Sequence, residues 1–374
     1  MSAPRPVALV ALVATALLAA TLTGCTSTSR KQQPTTPAPP TTPAPPPAPV
    51  PAPKLLATDV TTTRDGHTLV FALDGRRWTT VALPHPPADA TGIAAHGTDI
   101  YSADADRTGI AVDSSHDGGK SWQHRHVVDA ADASDLAGVD LALSPDGSKL
   151  AIMLDRPSSA GAVAAASVLV APTFVPHEAP AAGQLAWWRD RLVLSGGALS
   201  SRFFVGDATG ATWTPRPVAG PVAPAGDVDP KVATFGAATT RPDGTLLVPV
   251  TTHGRPPSVE LYGGSGATFR RLVRVALAGD FGAGATAVVA PRPDGSVVVA
   301  EATTPRLHIV DGATQRSFFA SGLPAPPLSL TFVTPTMGLA QVDVAGCTRA
   351  KTGCTSRQEV FTTADGGTSW TPAP

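Results

Sequence analysis

Few side chains in this sequence are suited to catalysis, and they stand in recognisable places. The chain carries only four glutamates and two tyrosines. Glu260 and Tyr262 are two residues apart and so share one face of a strand. This is the only local Tyr/Glu pair in the sequence. Glu301 closes an apolar strand, and with Asp280 upstream it supplies the two carboxylates that glycoside hydrolysis needs. No Gly-x-Ser-x-Gly elbow and no His-Glu-x-x-His pair occurs, which removes two common hydrolase chemistries. The nine histidines are scattered. His124 and His126 alternate on one strand, the pattern of a solvated face, so no metal and no cofactor are expected.

The elements that must position these groups are strands. Ten Glu plus Lys stand against 25 Asp and 22 Arg, and Gly and Pro total 74 of 374 residues. Glu and Lys favour helices, whereas Asp, Gly and Pro favour turns, so a helical bundle or a helix-rich enzyme is excluded. The net charge of −1, with no long basic run, excludes a nucleic-acid-tracking surface. One turn type recurs as Ser144-Pro-Asp-Gly147, Arg241-Pro-Asp-Gly244 and Arg292-Pro-Asp-Gly295, each opening an apolar strand. Asp-Gly between apolar strands marks a hairpin. A second turn type alternates with it. Its clear copies are Asp117-Gly-Gly119 with Trp122 and Asp365-Gly-Gly367 with Trp370, and weaker copies lie at Asp74, Asp207, Gly263 and Asp311. Weaker turns of the first type lie at Arg64-Asp-Gly66, His96-Gly-Thr98, Arg189-Asp190 and Thr334–Gly338, and a last trace of the second at Ala171–Phe174; seven turns of each type over residues 55–374 give about 46 residues per unit, the length of a four-stranded propeller blade. The expectation is an all-β propeller of seven blades, or six, with strands A to D in each. The first unit has room for only three strands.

The Asp-Gly-Gly-x-Ser-Trp segments resemble the Asp-box, or BNR repeat, of sialidase-type β-propellers. The resemblance implies that these turns lie on the face away from the family's active site. It also gives Asp117, Gly119, Trp122, Asp365, Gly367 and Trp370 a structural role: the carboxylate locks the turn and the aromatic packs between blades. The family's chemistry does not carry over. It uses an arginine triad, a Tyr–Glu nucleophile and an Arg-Ile-Pro motif; this chain lacks Arg-Ile-Pro, and the strand of Glu260 and Tyr262 leads into an Asp-box turn, the wrong end. Were the chain a sialidase-like glycosidase, Glu301, Asp280, Glu260 and Tyr262 would be the residues to carry it. Trp187 and Trp188 alternate on one strand and so face opposite sides.

The loops between strands B and C build the face opposite the Asp-boxes. Each of six carries an arginine: Arg107, Arg156, Arg202, Arg255, Arg306 and Arg349. Arginine captures carboxylate or phosphate bidentately, so this face is a candidate anion-binding surface. Pairing of each arginine with a nearby Asp is the competing structural reading.

Residues 7–22 form an apolar stretch behind Arg5, short for a membrane span. Leu22-Thr-Gly-Cys25 follows and resembles the bacterial lipobox. That resemblance implies cleavage after Gly24 and lipidation of Cys25, hence an exported chain held on the outer face of the cell membrane. Residues 1–24 are then the signal, residues 25–54 a Pro/Thr-rich disordered linker, and residues 55–374 the propeller. Cys347 and Cys354 bracket a short loop, and in an oxidising compartment they are expected to form a disulfide. The reading is a monomeric, non-enzymatic recognition module for an anionic glycan or an envelope protein, with a scaffold for envelope proteins as a further alternative.

Overall fold

A computed structural model describes residues 55–373 except 63–67, 75–76, 85–89, 107–108, 130–135, 137, 157–164, 196–202, 217, 220–232, 254–255, 267, 279–285 and 348–353. The described chain is all-β, and its strands form seven antiparallel meanders. Sheet I covers residues 55–82, sheet II 90–129, sheet III 138–179 and sheet IV 184–216; sheet V covers 218–276, sheet VI 288–319 and sheet VII 327–372. The first strand of each sheet lies beside the first strand of the next. The strand Leu55–Thr62 lies beside both Pro327–Phe332 and Ala90–His96, so the ring closes. This is a β-propeller.

Six sheets have the four strands of a full blade or more, and sheet I has three. Of the two blade counts expected, seven is therefore corrected and six stands. The physical reason is chain length: residues 55–82 are exhausted by three strands. Sheet V gains strands because its first strand is broken into Ala233–Phe235 and Thr239–Thr240, and because Val218–Ala219 pairs in parallel with the outer strand Phe269–Ala276. Strands B and C read as nearly continuous apolar runs because both faces are covered by neighbouring sheets. Leu246–Thr252 and Val297–Ala300 are buried almost throughout, whereas the outer strands Gln123–Asp129 and Thr314–Phe319 are mostly exposed.

The core is a set of clusters between sheets. Trp187 packs with Val168, Leu192 and Leu194 between sheets III and IV, while Trp188 packs with Phe203, Phe269 and Tyr262 between sheets IV and V. One tryptophan on each side is what strand alternation demands.

The Asp-bearing turns are locks. Asp117 accepts bonds from the Lys120 and Ser121 backbone N–H groups and from the Ser115 and Ser121 hydroxyls. The Ser121 bonds, with help from Ser115 and Lys120, hold its carboxyl far below the usual range. Asp365 does the same with Thr363 and Ser369. Asp207, a weak copy in sequence, closes an equivalent turn through Thr209, Ala211 and Thr212. Gly119 and Gly367 have φ of 85° and 96°. A Cβ on Gly119 would stand 2.1 Å from Val81 of sheet I, so both conformation and space require glycine there. Trp122 then packs with Val81 and Ile100 between sheets I and II, and Trp370 with Phe332 and Leu330 between VI and VII.

Candidate functional site

The A-to-B turns and the Asp-turns lie on one face. Gly118 N–H donates to Thr98 O, and Gly366 N–H donates to Thr336 O, tying the two turn types together in sheets II and VII. On this face the central channel opens into a cavity of about 710 Å³, and its lining comes from sheets II to VII. The walls are the ends of the first strands and the turns after them: Pro145, Pro242 and Pro293 with Trp187 and Phe332, and two arginines, Arg241 and Arg292. Of the described residues that line it, Arg241, Arg292 and His96 are the ionisable ones; no carboxylate is among them.

Each arginine begins an Arg-Pro-Asp-Gly turn, and each reaches into the next sheet. Arg241 donates through Nη2 to Gly295 O of sheet VI. Arg292 donates through Nη2 to Gly366 O of sheet VII and lies over the ring of Phe332, 4.6 Å from its centre. Both Nε–H groups are buried without a hydrogen-bond partner. Asp243 Oδ2 lies 3.7 Å from Arg241 Nη1, outside the cavity wall. Burial, and secondarily the charge of Arg316, lowers the pKa of Arg292, while Asp294 opposes the shift. The sequence showed these turns as hairpins. The repeated Arg before Pro-Asp-Gly was the available sign of something more, and it was missed because the acceptors lie 54 and 74 residues away.

Of the residues that would carry catalysis were the chain a glycosidase, Glu301, Glu260 and Tyr262 lie elsewhere and are occupied. Glu301 is fully buried. Its Oε1 accepts from Ala278 N–H at 3.1 Å and lies 2.9 Å from His308 Nε2; Oε2 accepts from Thr304 Oγ1 at 2.6 Å. Burial alone would raise its pKa, and the Thr304, His308 and Ala278 bonds outweigh that and lower it. A carboxyl held ionised and saturated with donors is a poor general acid. Tyr262, also fully buried, donates to Glu260 Oε2 at 2.6 Å, and Arg271 Nη1 donates to Glu260 Oε1 at 3.0 Å. Burial first, then the bond to Glu260, pushes the phenol far above its ordinary value. That is opposite to what a phenolate nucleophile requires. Asp280, the expected partner of Glu301, lies outside the described residues.

Of the six loop arginines, Arg107, Arg202, Arg255 and Arg349 lie outside the described residues. Arg156 ends one B strand and Arg306 opens one C strand, and both are half-buried. Arg306 stacks over Phe319, 4.3 Å from its centre, and Phe319 is 58% exposed. Cys347 and Cys354 stand directly opposite in strand register; their side chains are outside the described residues, and no disulfide is described elsewhere. Cys25, the signal and the linker are likewise outside them. Among the described residues no cluster of His, Cys, Asp or Glu is arranged to hold a metal.

No protein-family model and no curated protein sequence matches the chain, so the sialidase-type family is not shown. Solved structures are similar in fold. YCF48 from Cyanidioschyzon merolae is 11% identical with a TM-score of 0.48, over 80% of this chain and 88% of that one. TolB from Acinetobacter baumannii is 12% identical with a TM-score of 0.43, over 74% and 64%. A streptogramin B lyase is 11% identical with a TM-score of 0.45, over 77% and 93%. The β-propeller itself rests on the sheet topology and on the closure of the ring between the first and last sheets.

Proposed function

We propose that this chain is a non-enzymatic recognition module of the cell envelope, and that its ligand seats in the channel mouth on the turn face. One observation carries the reading: the channel-mouth cavity is walled by proline, aromatic and arginine side chains with no carboxylate among its described lining, while Glu260 and Glu301 are buried and bonded inside the sheets. Large apolar pockets with a few convergent polar groups are the default binding sites of a fold. Carboxylates without a free proton position or access to substrate supply no acid–base pair.

The proposal includes export, lipidation at Cys25, a stalk of residues 25–54, a Cys347–Cys354 disulfide and a monomeric state. The lipobox-like segment supports the anchor, and the cross-strand register of the cysteines supports the bridge. The arginine face of the B–C loops remains a second reading for one reason, the exposed Arg306–Phe319 stack. The test is to incubate the full-length protein with sialylated, uronic-acid and wall-polymer glycans and with anionic amphiphiles, and to record retention and released sugar. Retention without release, lost in A186E at the cavity wall and kept in R306A, is the expected result. Released sugar overturns the non-enzymatic reading, and loss in R306A alone moves the site to the opposite face.

A further inference from the structure

We infer that the ligand of the channel mouth is an amphipathic anion, whose apolar body fills the cavity and whose carboxylate or phosphate head meets Arg241 and Arg292. The inference rests on the mouth being the binding site and names what that site selects. Three features of the wall lead to it.

The first is charge. Two guanidinium groups line the cavity, with His96, and no carboxylate is among its described lining residues; Asp243 beside Arg241 and Asp294 beside Arg292 lie outside it. Arg292 is only 5% exposed, and its Nε–H has no acceptor. An unpaired buried donor on a charged group is costly. An anionic oxygen is the partner that best offsets the cost, because charge-assisted bonds to guanidinium are the stronger ones. Arg241 repeats the arrangement one sheet away, with the same unpartnered Nε–H.

The second is the shortage of other polar partners. Pro145, Pro242 and Pro293 on the rim have no backbone N–H to offer. Thr240 Oγ1 is spent on Trp187 O, and Ser144 Oγ on Asp146. A sugar ring needs many hydrogen bonds, and beside the arginines and His96 the described lining adds only the hydroxyls of Thr239 and Thr331. The third is the wall itself, where Leu185, Trp187 and Phe332 present hydrocarbon around about 710 Å³. That volume lies within the range that holds a small amphiphile.

The test titrates the full-length protein calorimetrically with dodecanoate, dodecyl phosphate, dodecyl maltoside and a hexuronate trisaccharide, the amphiphiles below their micelle concentrations. Wild type, R241Q and A186E are compared, with circular dichroism and thermal melts to establish folding. The expected result is binding of one or both dodecyl anions, with maltoside and trisaccharide at least about tenfold weaker. R241Q should weaken the anions about tenfold, and A186E, which places a carboxylate in the cavity, should abolish their binding. A preference between the two anions identifies the head. Maltoside binding as tightly as the anions, with sensitivity to A186E, overturns the anionic selection and leaves the mouth as the site. Trisaccharide binding without dodecyl binding overturns the apolar body on the same terms. Anion binding unchanged in a folded A186E protein overturns the site as well.

Discussion

Two regions of the propeller bury charge, and they do so in opposite ways. Inside sheets V and VI, Glu260 and Glu301 are surrounded by donors: a tyrosine and an arginine for one; a threonine, a histidine and a backbone N–H for the other. At the channel mouth, Arg241 and Arg292 each make one inter-sheet bond and keep a buried Nε–H without a partner. The same unpartnered Nε–H recurs at Arg216 and Arg306, so what sets Arg241 and Arg292 apart is the cavity beside them. A saturated buried charge is part of the scaffold; a buried charge with an open donor beside a cavity has capacity left for something that arrives later.

The largest expected effect comes from breaking the saturated side. Glu301→Ala leaves His308, Thr304 and the Ala278 N–H unpaired in the interior, and removing one partner of a buried network costs roughly 3 kcal/mol or more. Urea unfolding of the full-length protein would show the loss; a change under about 0.5 kcal/mol would mean that Glu301 is not part of the scaffold. Tyr262→Phe removes one of the donors to Glu260 and should cost about 2 kcal/mol. The tyrosines also predict an alkaline limb. Tyr262 and Tyr101 both titrate above their ordinary value, chiefly through burial. Above about pH 10 the unfolded chain sheds phenolic protons that the folded chain keeps, so stability falls as pH rises.

A finer contrast sets two aspartates against each other. Asp140 accepts Leu185 N–H across sheets III and IV at 2.9 Å, and burial, aided by the charge of Asp155, raises its pKa to about 6. A raised carboxyl contributes stability below its unfolded pKa, near 4, which is lost as pH rises toward 6. Asp365 is lowered: burial opposes the shift, but Ser369 and Thr363 outweigh it. Its contribution is present above pH 4 and lost as pH falls. Asp140→Asn should therefore flatten the decline in urea midpoint between pH 4 and 6, while Asp365→Asn should flatten the acid limb below pH 4. Identical pH profiles for the two variants would contradict these opposite shifts. The smallest effect is expected from Arg306→Ala, where loss of an exposed stack on Phe319 should cost about 0.5 kcal/mol.

Much of the fold was legible because the turns are local. An aspartate that bonds backbone groups two to four residues away, and a glycine with positive φ beside it, leave their mark within eight residues of sequence. Asp207 was legible only weakly, because Gly-Ala-Thr stands where the clear copies have Gly-x-Ser, yet the carboxylate finds the same kind of partners. Strand alternation likewise assigned Trp187 and Trp188 to opposite faces. The carboxylates misled for a physical reason. Glu260 beside Tyr262 on one strand face has the spacing of a reactive pair, and spacing carries no information about burial or about the donors that other strands bring.

The sequence by itself determined the all-β class, the alternation of two turn types, the shortness of the first sheet, and the turn-locking role of Asp117 and Asp365. These depend on interactions between near neighbours in the chain. Tertiary structure alone decided that Glu301 is sealed among Ala278, Thr304 and His308, and that arginines 51 residues apart in repeated turns line one cavity without a carboxylate. Both outcomes depend on ring closure, which brings sheets together in an order that local spacing cannot encode, and on the desolvation that closure imposes on whatever charge it encloses.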